Sequence, residues 1–124
     1  MTKTIKKYRN RSIHYFENAL KFLEAGDAEK ASEFLWGSMA QALKAVAASK
    51  DIQLRSHGSI RKYAMELAKA LKDDSIGHAF ERAQSLHSNF YESGLILEDV
   101  AMGAEEVKAA IAKLLRLIPE NEPA

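Results

Sequence analysis

The sequence predicts an all-α fold: a single-domain, up-down antiparallel bundle of about five helices spanning residues 1–124. Two observations carry this expectation. Apolar residues return every three or four positions in five successive segments, the repeat that lines one face of a helix. No segment alternates apolar and polar residues over a useful length, so no sheet is expected.

The first helix, from Thr4 to about Ala25, draws its apolar set from Tyr8, Tyr15, Phe16, Ala19, Leu20 and Leu23. Gly26 suits the left-handed residue that closes such a helix, and Asp27 suits the cap of the next. The second, about Ala28 to Ser49, buries Ala31, Leu35, Met39, Ala42, Leu43 and Val46. Its many alanines imply close approach to a neighbour. A Gly-Asp turn this short makes the first two helices an antiparallel hairpin. The turn resembles that of a tetratricopeptide repeat, but such a repeat would return about 34 residues later. Ile60 stands there, in a stretch without a turn, so the array is rejected.

Lys50 to Ser56 lacks helical periodicity and reads as the longest ordered loop. Gly58 and Ser59 precede a third helix, to about Lys72, with Ile60, Tyr63, Ala64, Leu67 and Leu71 inside. Arg61, Lys62, Glu66 and Lys69 lie outside. Asp73, Asp74 and Ser75 are three candidate caps for a fourth helix that ends near Ser93-Gly94. A link, Leu95 to Leu97, leads to a fifth helix capped near Glu98 or Asp99. Its stripe is Val100, Ala104, Val107, Ile111, Leu114 and Ile118, and Pro119 stops it. An acidic tail over about 119–124 is expected to be disordered.

Composition narrows the function classes. A 47% hydrophobic and 28% charged content is that of a globular domain. A formal net charge of +1 gives no bulk drive toward nucleic acid or membrane. Lys3, Lys6, Lys7, Arg9 and Arg11 nevertheless precede the first acidic residue, Glu17, and read as a solvated helix start. With no cysteine, disulfides, thiolate catalysis and cysteine-ligated zinc are excluded. No apolar run approaches the roughly 20 residues of a membrane span. No secretory signal is apparent, so a cytoplasmic location is expected.

The candidate chemistry lies on the fourth helix, in Arg82-Ala83-Gln84-Ser85-Leu86-His87. None of His14, His57, His78 and His87 has a histidine partner three or four residues away, so no metal site and no cofactor is expected. Arg82 and His87 differ by about 140° in direction and about 7.5 Å in height on a straight helix. Arg82 aligns with His78, Ser85 and Asn89 on the polar side, where it reads as one half of an ion pair with Glu81 or another helix. His87 follows Ile76, Phe80 and Ala83 on the apolar side, and reads as a buried or interfacial histidine. His57 reads as part of a helix start, and Trp36, among apolar neighbours, as core or dimer interface.

Several stretches nevertheless carry a resemblance. They are Ala31-Ser32-Glu33, the run from Trp36 to Ala45, His57-Gly58-Ser59-Ile60, and the run from Leu86 to Glu92. In that order, with an arginine followed five residues on by a histidine, the chain resembles the HEPN superfamily of helical bundles, in particular its short archaeal paREP-type members. The resemblance implies metal-independent RNA cleavage in a cleft where two copies of the motif meet across a homodimer. His87 would be the general acid/base, Arg82 the phosphate contact, and His57, Asn89 and Tyr91 substrate-binding residues. The chemistry is sound, since an imidazole of ordinary pKa near 6.5 relays protons and a guanidinium stabilises a phosphorane. Active members carry a polar residue directly after the arginine, where this chain has Ala83. That departure keeps an alternative open: a non-catalytic module that binds a nucleotide or a partner protein, such as a nucleotidyltransferase.

Overall fold

A computed structural model describes residues 1–88 and 96–120. Among these residues the chain is all-helical: α1 Lys3–Glu24, α2 Ala28–Ala48, α3 His57–Leu71, α4 Asp74–Ser88 and α5 Leu97–Arg116. No strand occurs among them.

The core is organised by α2, which packs against each of the other four helices. Its six expected core positions are all buried, together with Ser32, Ser38, Ala40, Ala45 and Ala47. A helix that is apolar or small almost all round belongs in the middle of a bundle. The closest approach is to α1. A Cβ on Gly37 would stand 3.2 Å from the Tyr15 ring, and the buried Ser12 hydroxyl donates to the Ser38 carbonyl at 2.8 Å. The Gly26 turn forms as expected. With φ at 78°, Gly26 lets its own N–H donate to the Leu23 carbonyl and the Asp27 N–H to Phe22. Asp27 then accepts from the Lys30 N–H.

Some boundaries and faces differ from expectation. The third helix begins at His57, not after Ser59, because Ser56 and Ser59 cap each other's N–H groups. The fifth begins at Leu97, where the Asp99 carboxylate accepts from the Ile96 N–H rather than capping a later start. Leu20 and Leu71 are exposed, at 48% and 43%. Leu71 lies in the last turn of α3, and the core positions of α1 include Ile5 and Ser12 instead. The α5 stripe is buried through Ile118. The expected end of the fourth helix near Ser93-Gly94 and most of the acidic tail, 121–124, lie outside the described residues.

Two helix ends carry testable energetics. Lys72 closes α3 in the left-handed region, φ 54°, while the Asp73 N–H donates to Ala68 and the Lys72 N–H to Lys69. A side chain there is strained where glycine is not. Lys72→Gly is expected to stabilise the fold by about 1 kcal/mol, read as a raised urea midpoint at unchanged slope.

Asp73 starts α4 by accepting from the Ser75 N–H at 3.1 Å, and accepts from Lys113 of α5 at 2.8 Å. The hydrogen bonds from Lys113 and Ser75 hold its carboxyl down at about 2. Native Asp73 thus keeps its charge where the unfolded chain has begun to take up protons. Its contribution is full above about pH 4 and disappears as pH falls through about 2. Lys113→Met should therefore lower stability at neutral pH, with the gap to wild type closing between about pH 4 and 2.

Candidate functional site

Three helices build an open cleft of about 310 Å³ whose walls include Trp36 of α2, His57 and Arg61 of α3, and Gln84 and His87 of α4. His57 reaches it because the Ser56 cap starts α3 at that residue. Trp36 is half-buried, and its indole lies 4.6 Å from the His57 ring and 5.8 Å from the His87 ring, centre to centre. The indole and the His87 imidazole are 28° from parallel, a stacked pair. Two imidazoles thus stand against one indole, so their separation cannot exceed the sum of those two distances.

This placement corrects the expectation that His87 is buried within the apolar stripe. Ile76, Phe80 and Ala83 are fully buried as expected, but Leu86 occupies the next core position. His87 is exposed at the rim. Trp36 packs partly against the apolar core, as expected, and in addition lies on two imidazoles. Spacing along the chain could not bring residues 36, 57 and 87 together, because their meeting depends on how three helices dock. The family resemblance assigns His57 and His87 to one site, and nothing in the sequence places Trp36 beside them.

Arg61 also faces this cleft and forms a 2.9 Å ion pair with Glu81. Both side chains are about half exposed, 53% and 46%, and such pairs contribute well under about 1 kcal/mol.

Arg82 faces another way. It lines a groove with Ser75, His78, Glu81, Ser85 and Glu106, and its guanidinium donates to the Glu106 carboxylate at 3.1 Å. The alignment with His78 and Ser85 read from spacing is the one observed, and the ion-pair partner is a residue of another helix. Arg82 is held there because α4 crosses α5 at Gly103. A Cβ on that glycine would stand 2.5 Å from Leu86 Cδ1 and 3.3 Å from Arg82 Cγ. Within one chain, then, His57 and His87 share a cleft while Arg82 opens on a separate groove. Asn89 and Tyr91 lie outside the described residues.

Among the described residues no three of His, Asp and Glu come together as a metal-ligand group, and no helix is long and apolar enough to cross a membrane. His14 is exposed on α1, 6.5 Å from the Tyr15 ring, away from both grooves.

The model of the archaeal PaREP1/PaREP8 family matches residues 7–111. A crystal structure of a protein from Sulfolobus solfataricus superposes with a TM-score of 0.75 at 20% identity, covering 88% of this chain and 97% of that one. At that identity the likeness concerns the fold alone, and the shared bundle agrees with a HEPN-like architecture. No curated protein matches the chain.

Proposed function

The chain belongs to the archaeal PaREP1/PaREP8 family, and we propose that it is a homodimeric RNA-binding domain that cleaves RNA without a metal ion. One observation supports this above the others: His87 stands exposed at an open cleft, beside an indole. A general acid/base must reach both water and substrate, and a buried histidine could do neither. In this reading Trp36 backs the two imidazoles and holds them at the cleft. His87 transfers the proton, and Asn89 and Tyr91 are assigned supporting contacts.

Arg82 supplies the phosphate contact from the second copy, because in its own chain it opens on a different groove. Its bond to Glu106 is between side chains 41% and 40% exposed, and a pair of that kind contributes about 0.5 kcal/mol. Opening so weak a pair costs little, so Arg82 is free to exchange the carboxylate for a phosphate. The test is incubation of purified protein with total RNA in EDTA. Cleavage that survives chelation supports the reading, and intact RNA at high protein concentration refutes it.

A second reading has its own support. Ala83 is fully buried in the core, so the position after Arg82 cannot present the polar group that active HEPN proteins carry. Combined with the Arg82–Glu106 pair, this fits a non-catalytic module that binds a nucleotide or a partner protein such as a nucleotidyltransferase. Binding of RNA or nucleotide without cleavage would favour it.

A further inference from the structure

We infer that His57 is a second proton-transfer residue, and that a single chain therefore carries both imidazoles needed to cleave a ribonucleotide linkage. The inference rests on the ribonuclease reading above and goes beyond it, since that reading assigns proton transfer to His87 alone. The juxtaposition is what carries it. His57 and His87 come from different helices, 30 positions apart in the chain, yet both rings lie against Trp36 at the walls of one open cleft. Both are exposed, and both face a space that Arg61 also lines.

Cleavage of RNA by transesterification needs two proton transfers at opposite ends of one phosphate. The neutral imidazole takes the proton from the 2′-hydroxyl as its oxygen attacks phosphorus, and a P–O2′ bond forms. The protonated imidazole gives its proton to the 5′-oxygen as the P–O5′ bond breaks. The products are a 2′,3′-cyclic phosphate and a 5′-hydroxyl, with no water, metal or redox partner consumed. A single imidazole would have to serve both ends, whereas two rings flanking one cleft divide the task. Arg61 would add to the charge stabilisation that Arg82 of the second copy supplies, once its exposed pair with Glu81 opens. Among the described residues, the titratable groups that face the cleft are the two imidazoles and Arg61, with Glu81 held on Arg61.

The experiment compares wild type, His57→Gln, His87→Gln and His14→Gln on a single-stranded RNA oligonucleotide in EDTA across pH 5–9. Binding is followed through fluorescence of Trp36, the only indole in the chain. The expected result is a bell-shaped rate profile for wild type and His14→Gln. His57→Gln should lose one limb of the bell and roughly 10²-fold or more in rate while still quenching Trp36 on binding. Far-UV circular dichroism should be unchanged, because His57 is exposed and the Ser56–Ser59 cap remains.

Three outcomes overturn the inference. If His57→Gln keeps the wild-type rate and profile while His87→Gln is inactive, His57 transfers no proton and the ribonuclease reading stands. If His57→Gln loses binding in step with rate and keeps its bell, the residue is a substrate contact only. If wild type leaves the RNA intact, both the inference and the reading beneath it fall.

Discussion

Substituting His87 by alanine is expected to lower RNA cleavage by about 10²–10⁴-fold, the usual contribution of a positioned acid/base group. The loss should appear in kcat more than in KM, because Trp36, Arg61 and Gln84 remain to hold the substrate. Stability should change by no more than about 0.5 kcal/mol, since the side chain is exposed and the adjoining core position belongs to Leu86. A folded His87→Ala protein that cleaves RNA as fast as wild type would remove this histidine from the mechanism.

The largest effect on stability is expected at Gly103. Overfilling a packed contact costs about 1–3 kcal/mol, whereas replacing a helical glycine by valine recovers only a few tenths. The first term wins here, because a Cβ would stand 2.5 Å from a Leu86 methyl that is itself locked in the core. Gly103→Val should therefore lower the urea midpoint by an amount equivalent to about 1–3 kcal/mol. Because the Arg82 stem lies on the same glycine, the variant should also shift Arg82 off Glu106. A Gly103→Val protein as stable as wild type would show that α4 and α5 separate at little cost. In that case Arg82 is not held in place by their contact.

How far the sequence can be read differs between direction and depth. Spacing gives the direction of a side chain around its helix, and it does so for α2 and α5 though not for Leu20 of α1. The inner faces of α2 and α5 and the alignment of Arg82 with His78 and Ser85 follow from the helical repeat alone. Depth depends on where neighbouring helices begin and end, which no local pattern contains. Leu71 has a core-like direction but sits in the last turn of α3 and is exposed. His87 has the direction of Phe80 and Ala83, yet it lies at the rim, over Trp36. No spacing pairs His57 with His87, because a tertiary contact across three helices leaves none; only the family resemblance sets both in one site.

The same distinction explains why Arg82 and His87 make a motif in sequence and not a shared cleft in one chain. Their directions diverge by about 140°, and the two residues open on separate grooves. If both act on one phosphate, the guanidinium and the imidazole belong to different copies.

That requirement gives the most direct test: mix Arg82→Ala and His87→Ala proteins, each inactive alone, under conditions that exchange subunits, and measure RNA cleavage in EDTA. A mixed dimer would contain one site with both groups intact, so activity should return to about a quarter of wild type on random exchange. A mixture as inactive as its two components, with mixed dimers shown to form, would contradict a site shared between two copies of α4.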